Sequence, residues 1–503
     1  MNDRVTRPNI LILMADQLTA RALPAYGNAV ARTPHIDALA AGGVVFEHAY
    51  CNSPLCAPSW AVFMSGLLPP TTGCYDNATE FPSQLPTFVH VLRHAGYRTV
   101  LAGEMHFCGP DQMHGFEERL TTDIYPADYG WTPDWTRPEA RPESYHNMDS
   151  VTQAGPCVRT NQMDFDEEVG WAAQQKLHDI ARGSDRRPFC MVVSMTHPHD
   201  PFTIPGRYWD RFSDAEIDMP RVAEPARDPH ALRLRHVCGM DAQPVTARHV
   251  RDARHAYYGA ISYFDDQVGA LVDALRATRM GGDTVVVVLA DHGEFLGKRG
   301  LFYKMSFLEP ACRIPLIVQA PQRFAAARVT GGVSLVDMLP TMAELGGAEV
   351  ATPLDGTSLM PMLRGEPGRD VVPGEYLAEG TVAPMVMIHP AGRKYIHAEG
   401  DPDRLFDLAA DPEELVNLGA TGAAAAWVAE AARRWDLSRL LAEVLASQRR
   451  RRFVAEALAQ GGPSAWDYQP VRDARQMYVR SHMKLDEIEA MARFPRVTRV
   501  PQL

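Results

Sequence analysis

Five short runs of β-branched and aliphatic residues are separated by segments long enough to form helices. This alternation is typical of a mostly parallel sheet covered by helices on both faces. It predicts an α/β fold for the first two thirds of the chain. The predicted strands are 9–15, 98–102, 189–195, 284–290 and 314–319.

Helix signals lie between these runs. Thr33 with Pro34 predicts the start of one helix, and Pro86 predicts the start of another that Gly96 ends. Apolar residues at helical spacing predict a long amphipathic helix over 248–278.

The chain changes character after about residue 370. Three segments, GEYLAEG, APMVMIHPAG and RKYIHA, predict paired strands, and an Ala-rich region from Ala423 predicts helices. We therefore expect an α/β catalytic domain over 1–370 and a smaller α+β domain over 371–503. The four arginines at 449–452 are interpreted as a solvated helix face. The proline-punctuated end is interpreted as a tail that packs on another subunit or on its own body.

Composition excludes several function classes. The 62 acidic residues outnumber the 50 Lys and Arg, so the net charge of −12 is opposite to that of a general nucleic-acid binder. No stretch approaches the roughly 18 to 20 apolar residues that span a bilayer. The N-terminal sequence also lacks the pattern of a secretory signal, so we expect a cytoplasmic protein with no membrane partner. Its eight cysteines show no C-x-x-C spacing and are expected to be mostly buried thiols.

Four of the five predicted strands are followed directly by polar residues of the kind that bind ligands. In an open α/β sheet, ligands bind outside the carboxyl ends of the strands, so these residues should meet in one site. The polar residues after the strands are Asp16 and Gln17, Glu104 and His106, His197 and His199, and Asp291 and His292.

These residues suit a hard divalent cation. Carboxylates at Asp16 and Asp291, together with His292, are ligands for Ca²⁺, Mn²⁺ or Mg²⁺. A candidate nucleophile is Cys56, because Pro58 is suited to the first turn of a helix that Gly66 would end. The positive end of that helix would favour an anionic nucleophile or an anionic substrate group. A buried structural cysteine before a core helix is the alternative reading.

The segment CAPS at 56–59, followed by SG at 65–66, resembles the signature of the sulfatase family, which belongs to the alkaline phosphatase superfamily. In that family the cysteine is oxidised to formylglycine. The chain resembles the family throughout, and within it the choline-sulfatase branch. The segments that carry this likeness are SPLCAP, GEMHFCGPDQMHGFEERLTTDIYPADYGWTPDW, THPHDPF, ADHGEFLGKRGLFYKMSF, GEYLAEG and LFDLAADPEELVNL.

The resemblance implies a set of roles. One divalent metal would be held by Asp16, Asp291, His292 and the group derived from Cys56. The anionic head of the ester would be surrounded by His106, His197 and Lys304, with Lys304 or a histidine protonating the leaving oxygen. A quaternary ammonium group would be bound by Trp131, His146 and Glu379, and further substrate contacts would come from Asn77 and His199. The resemblance also implies a homodimer or homotetramer.

The chain departs from the family pattern at two positions. Trp60 stands where the formylglycine motif has an arginine, and Glu104 stands where choline sulfatases carry a sulfate-binding lysine. Together these changes remove two positive charges and add one negative charge. A sulfate group should therefore be held less well. The modification state of Cys56 is left open between a formylglycine and an unconverted thiol.

Three functions follow from this interpretation. The first is a metal-dependent hydrolase of a small ester, with choline sulfate as the default substrate. The second is a related hydrolase of a less anionic ester, amide or phosphoester. It would use unconverted Cys56, or a second metal bound by Glu104, His106 and His197. The third is a non-catalytic binding protein that retains the cation-binding residues and the subunit contacts.

Overall fold

The computed structural model describes residues 7–124, 129–141, 146–224, 227–369, 371–390, 392–461 and 497–499. Its strands are β1 (Asn9–Ala15), β2 (Val44–Tyr50), β3 (Arg98–Gly103), β4 (Glu118–Arg119), β5 (Gly155–Thr160), β6 (Phe189–Met195), β7 (Thr203–Pro205), β8 (Thr284–Ala290), β9 (Arg313–Ile314), β10 (Leu316–Gln319), β11 (Ala327–Ser334), β12 (Val371–Tyr376), β13 (Met385–Pro390), β14 (Arg393–Ala398), β15 (Arg404–Asp407) and β16 (Val497–Arg499).

The largest sheet has the strand order β11-β2-β10-β8-β1-β6-β3-β4, with β9 paired to β2. Its centre is parallel, and Leu11 of β1 lies between Met191 of β6 and Val286 of β8. The central strands are apolar along their whole length because both of their faces are buried. Only β9 and β10 run antiparallel to their neighbours in this sheet, so the predicted mostly parallel α/β architecture is confirmed.

Two details of the strand prediction were wrong. The predicted strand 314–319 is two short strands, because Pro315 has no backbone N–H to donate to a neighbouring strand. The strand β2 was not predicted, because the polar residues Glu47 and His48 interrupt its apolar pattern.

The helices are α1 (Pro34–Ala41), α2 (Cys56–Ser65), α3 (Pro69–Thr72), α4 (Phe88–His94), α5 (Asp149–Thr152), α6 (Asn161–Arg182), α7 (Gly206–Trp209), α8 (Pro229–Val237), α9 (Ala247–Ala277), α10 (Glu309–Cys312), α11 (Met338–Gly346), α12 (Met360–Leu363), α13 (Ala425–Arg434) and α14 (Leu437–Gly461). Helices α1 and α6 pack on α9, whereas α2 and α4 pack on α11. No helix in the described part of the chain combines the length and the apolar character needed to cross a membrane.

The helix boundaries follow local capping chemistry. Helix α4 begins after Thr87 rather than at Pro86, because Thr87 accepts a hydrogen bond from the backbone N–H of His90. Helix α2 ends at Gly66, whose φ of 65° lies in the left-handed region that favours glycine.

The smaller C-terminal unit is built on an antiparallel sheet. Strands β12, β13, β14 and β15 pair in sequence order, and α13 packs against β13 and β14. This confirms the predicted α+β character of the region, while the exact boundary at residue 370 stays a prediction.

The last described elements alter one interpretation. Arg451 is buried rather than solvated, since its guanidinium bonds both carboxylate oxygens of Asp76, at 2.6 and 2.7 Å. The predicted tail lies outside the described residues except for β16, which pairs antiparallel with β5.

Candidate active site

Four neighbouring strands bring the predicted polar residues together. In the sheet order β8-β1-β6-β3 all four strands are parallel, so their carboxyl ends meet at one edge. The segment after β1 also touches the segment after β6, because the backbone N–H of Asp16 donates to the carbonyl of Met195 at 3.0 Å.

A buried group of four side chains has the geometry of a metal site. One ligand atom each from Asp16, Cys56, Asp291 and His292 lies within 4.8 Å of the others. His292 Nε2 is 3.1 Å from a carboxylate oxygen of Asp291, 3.5 Å from one of Asp16 and 3.2 Å from the sulfur of Cys56. The distances place all four atoms around one small volume.

The chemistry of this group fits a divalent cation. Both carboxylate oxygens of Asp16 and the Oδ2 of Asp291 are buried, and none of them has a hydrogen-bond partner among the described residues. Burial, reinforced by the neighbouring Asp291, raises the pKa of Asp16, and burial raises the pKa of Asp291 to about 6. Burial lowers the pKa of His292, which keeps its ring neutral and able to coordinate. Two desolvated carboxylates and a neutral imidazole are suitable ligands for Ca²⁺, Mn²⁺ or Mg²⁺.

Helix α2 places Cys56 at this group. The backbone N–H of Ala57 donates to Asn77 Oδ1 at 2.9 Å, and Ser59 Oγ donates to the carbonyl of Asp291 at 2.6 Å. Asn77 therefore fixes the first turn of the helix. Burial raises the pKa of the Cys56 thiol well above its ordinary value.

Lys304 carries the positive charge next to these acids. Its ammonium group donates to Gln17 Oε1 at 2.6 Å and bonds His199 Nε2 at 2.8 Å. Although burial alone would lower the pKa of Lys304, the surrounding acidic groups hold it above its ordinary value. Gln17 Nε2 in turn donates to Glu294 at 2.6 Å, so the amide is held from both ends.

Glu104 lies deep in the same region. It is fully buried, its carboxylate oxygens have no hydrogen-bond partner, and burial together with the nearby Asp16 raises its pKa. His106 Nδ1 lies 3.8 Å from Glu104 Oε1, and burial lowers the pKa of His106 to about 4. In the described part of the chain, Glu104 thus has no lysine or arginine as an ion-pair partner.

The geometry does not support a second metal at Glu104, His106 and His197. These three residues do not form a close ligand group in the described part of the chain. Strand β3 ends at Gly103, so Glu104 and His106 do not share one face of a strand as the prediction assumed. His197 Nδ1 is already bonded to Asp166.

Trp60 is the residue that stands where the sequence analysis expects an arginine, and its side chain carries no charge. It lies one helical turn after Cys56 on α2, so the two side chains share a face of that helix. The indole is buried, packs edge-on against Phe63, and its N–H has no hydrogen-bond partner.

Two of the three predicted cation-binding residues, Trp131 and His146, pack against other rings. The ring centroid of Trp131 lies 6.0 Å from that of His106, and His146 stacks on Tyr303 at 4.4 Å. Burial lowers the pKa of His146 to about 3 and raises that of Glu379 to about 8. Glu379 Oε1 is buried without a hydrogen-bond partner.

Two carboxylates behind the site, Asp123 and Asp166, were not predicted, whereas Asp200 lies in the predicted polar segment after the strand 189–195. Asp123 accepts the backbone N–H groups of Met105 and His106, and Asp200 lies 3.3 Å from His199 Nδ1. Asp166 bonds His197 and is described further below. Asp166 lies among the buried positions of the helix 161–182, but no motif in the sequence connects it to His197.

Comparison with known families agrees with this geometry. The sulfatase family profile matches residues 8–348. A profile for the choline sulfatase enzyme C terminal matches residues 442–494, and one for the N-sulphoglucosamine sulphohydrolase C-terminal region matches residues 297–436.

Relatives share most of the chain. A choline-sulfatase of Rhizobium meliloti (strain 1021) is 45% identical over 507 residues, which cover 97% of this chain and 99% of that protein. Arylsulfatase K of Xenopus laevis is 28% identical over 82% of this chain and 79% of its own length.

Solved structures share the fold. The phosphonate monoester hydrolase of Agrobacterium radiobacter superposes with a TM-score of 0.69 at 24% identity, over 88% of this chain and 96% of that one. The enzyme of the same name from Silicibacter pomeroyi gives 0.67 at 23% identity, over 88% and 96%. With the family profile spanning more than half of the sequence and the choline-sulfatase relative spanning nearly all of it, the chain belongs to the sulfatase family and is a hydrolase.

Proposed function

We propose that the protein is a metal-dependent hydrolase that cleaves a small ester of a quaternary ammonium alcohol, with choline sulfate as the reference substrate. The observation that carries this proposal is the buried group of Asp16, Cys56, Asp291 and His292 beside the ammonium of Lys304. The choice of alcohol rests on the relative that is 45% identical over nearly its whole length.

In this proposal the four grouped residues hold one divalent metal, which when bound polarises an oxygen of the ester. Cys56, as a thiol or after conversion to formylglycine, supplies the nucleophilic atom at the start of α2. Lys304 donates a proton to the leaving oxygen, and its contact with His199 provides a route for proton replacement.

The cationic end of the substrate is assigned to Trp131, His146 and Glu379. Aromatic faces attract a quaternary ammonium group, and a cation bound next to Glu379 would lower the raised pKa of that carboxyl and so add Coulomb attraction. The buried Oε1 of Glu379 has no competing hydrogen bond among the described residues.

The test compares hydrolysis of choline sulfate, acetylcholine and phosphocholine by metal-loaded protein and by Asp291→Asn. Turnover of any of these esters that requires both the metal and Asp291 supports the proposal. Equal turnover by the variant, or turnover of none of the three choline esters while ethyl sulfate and ethyl acetate are hydrolysed, contradicts it. Asp273→Asn is the matched control, because Asp273 is exposed and pairs only with a surface arginine.

A second candidate differs in the bond that is cleaved. The buried Glu104, whose oxygens lack partners, favours a reacting group that carries less negative charge than sulfate, such as a carboxylic ester or amide. A sulfate next to Glu104, Asp16 and Asp291 would face acids that one metal and Lys304 only balance.

The variant Trp60→Arg/Glu104→Lys separates the two candidates. If the second candidate is correct, this variant gains affinity for choline sulfate and loses turnover of the carboxylic ester. If wild type already turns over choline sulfate faster than the carboxylic ester, the second candidate is wrong. The peptide mass at Cys56 decides the nucleophile, since conversion to formylglycine replaces sulfur by oxygen and removes two hydrogens.

We further propose a division into a 1–370 catalytic domain and a 371–503 C-terminal domain, a homodimer or homotetramer, and a cytoplasmic location. The assembly proposal assigns a subunit-contact role to the tail, a region that the choline sulfatase C-terminal profile matches over 442–494. Light scattering on the full chain and on a chain ending at Gly461 tests the assembly, because loss of the tail should give monomers.

A further inference from the structure

Asp166 of α6 holds the turn that follows strand β6. Its Oδ1 accepts the backbone N–H of Thr196 at 2.8 Å and the hydroxyl of that residue at 3.1 Å. Its Oδ2 accepts the backbone N–H of His197 at 3.0 Å and bonds His197 Nδ1 at 2.7 Å. Asp166 is fully buried, so all four contacts are shielded from water.

We propose that Asp166 is a positioning residue that fixes both the orientation and the tautomer of His197 for the reaction. A carboxylate that already accepts backbone N–H groups on both oxygens can only accept from the ring, so Nδ1 carries the proton. His197 Nε2 is then the nitrogen that faces the ester. It accepts a proton when the ring is neutral and donates one when the ring is charged.

The surroundings argue against a purely structural acid. In the described part of the chain, His197 is the one ion-pair partner of Asp166, and no lysine or arginine compensates the carboxylate. An acid that only held the turn would need to bond just the backbone N–H groups of Thr196 and His197, whereas Asp166 also bonds the imidazole ring of His197. The His197 ring is also fixed on its other side, where it packs edge-on against Tyr263 at 4.7 Å between centroids.

Glu104 lies close to this pair, which places the pair at the site. Its backbone N–H donates to the carbonyl of Ser194 in β6 at 3.2 Å, and the negative charge of Asp166 contributes to the raised pKa of Glu104. His197 follows β6, so it lies at the same carboxyl edge of the sheet as the residues after β1, β3 and β8.

The first test measures the tautomer in the wild-type protein. Nitrogen-15 NMR of histidine-labelled protein, with the His197 signals assigned by their loss in His197→Gln, should show Nδ1 protonated and Nε2 unprotonated in the neutral ring. An Nε2-protonated neutral ring overturns the proposal. This measurement needs no active enzyme, so it stands even if the proposed function fails.

The second test is a double-mutant cycle, and it rests on the proposed function because it needs a turnover assay. Asp166→Asn should lower kcat by about a hundredfold or more in the wild type, with KM within about threefold. It should lower kcat by less than about threefold in the His197→Gln background. An equal loss in both backgrounds overturns the proposal.

Two controls separate positioning from damage to the fold. Thr196→Val removes only the hydroxyl bond to Asp166 and should keep the tautomer and more than a third of kcat. Asp164→Asn, on the same helix but paired with Arg159 at the surface, should leave kcat unchanged. If Thr196→Val lowers kcat as much as Asp166→Asn while the tautomer is unchanged, the turn rather than His197 is what Asp166 serves, and the proposal is wrong.

Discussion

At the scale of single residues, Lys304 is the buried cation of the candidate site. Its ammonium bonds Gln17 and His199 within 2.8 Å in a region that otherwise holds acids. Lys304→Met should lower kcat by about 10²- to 10⁴-fold, because it removes the proton donor for the leaving oxygen. Steady-state kinetics check this, and elemental analysis should show unchanged metal content.

The control for that variant is Lys176→Met. Lys176 pairs with Glu118 away from the site, so its loss should leave kcat within about twofold. A Lys304→Met enzyme with more than a tenth of the wild-type kcat would remove Lys304 from the proposed chemistry.

Within the described residues, both carboxylate oxygens of Asp16 and the Oδ2 of Asp291 lack hydrogen-bond partners, and we expect this to make stability depend on metal. A cation that binds only the folded state at a hundredfold excess over its Kd stabilises it by about 2.7 kcal/mol. Adding Ca²⁺ or Mn²⁺ to chelator-treated protein should therefore raise Tm by a few degrees, and this rise should be absent in Asp291→Asn. Differential scanning calorimetry measures it, with Asp273→Asn as a variant that retains the rise. A full metal-dependent rise in Asp291→Asn would contradict the assignment.

At the level of elements, a buried ion-pair network joins the small sheet to the catalytic body. Lys394 of β14 bonds Glu309 at 2.6 Å and Glu414 at 3.0 Å, with all three side chains buried. Removing the cation leaves Glu309 with only Arg313 at 3.6 Å and leaves Glu414 without an ion-pair partner among the described residues, which costs roughly 3 to 5 kcal/mol. Lys394→Met should lose that much stability in urea denaturation.

Arg328→Gln is the matched surface control. Arg328 pairs with Glu47 at 2.6 Å but is half exposed, so its loss should cost less than about 1 kcal/mol. Similar losses in the two variants would mean that the Lys394 network contributes no more than a surface pair.

Glu375 gives the β12–α13 contact a pH dependence. This buried carboxyl accepts the indole N–H of Trp435, and burial raises its pKa from the ordinary 4.5 to about 8. The folded protein keeps the proton while the unfolded chain releases it, so this stabilising contribution is full below pH 4.5 and declines as the pH rises to about 8.

The Tm of Glu375→Gln should therefore fall less than that of wild type between pH 6 and pH 9. Raising a pKa by one unit corresponds to about 1.4 kcal/mol, so over this range the free energy of unfolding of wild type should fall by a few kcal/mol more than that of the variant. Parallel thermal melts across this range measure it, and Glu443→Gln, on an exposed i,i+4 pair, should follow wild type. Identical slopes for Glu375→Gln and wild type would show that Glu375 is ionised in the folded protein.

At the scale of the whole molecule, most of the correct sequence predictions came from uninterrupted apolar runs, which marked the central strands of the sheet. Strands 9–15, 189–195 and 284–290 were predicted to the residue, because both faces of each are buried and polarity returns only at the ends. The residues at those ends form the site because parallel strands share one edge.

The features that were not predicted are hydrogen bonds and ion pairs between residues far apart in the sequence. A charged residue on a helix is read as solvated from sequence, so the bond from Arg451 to Asp76 was missed. Asp166 was missed for the same reason, since no spacing in the sequence connects a helix residue to His197, which lies 31 positions later.

Arg451 also connects the C-terminal helix α14 to the start of α2. It bonds Asp76, whose neighbour Asn77 accepts the backbone N–H of Ala57 next to Cys56. The same helix is held to Trp135, whose backbone N–H donates to Gln448 and whose indole N–H donates to the carbonyl of Ala378. A disturbance of α14 therefore has a direct route to both the nucleophile and the Glu379 segment.

We accordingly expect Arg451→Met to speed amide hydrogen exchange in α14 and also at residues 56–60, and to lower kcat/KM by about tenfold. The reason is that the buried Asp76 loses its only bidentate cation within the described residues and no longer holds Asn77 in place. Arg439→Met, on an exposed pair with Glu443 in the same helix, should change neither measurement. The contrary outcome is faster exchange in α14 with wild-type exchange at residues 56–60 and wild-type kcat/KM. In that case the helix stabilises the fold without supporting Cys56, the proposed nucleophile. Any effect of the C-terminal region on activity would then act through assembly.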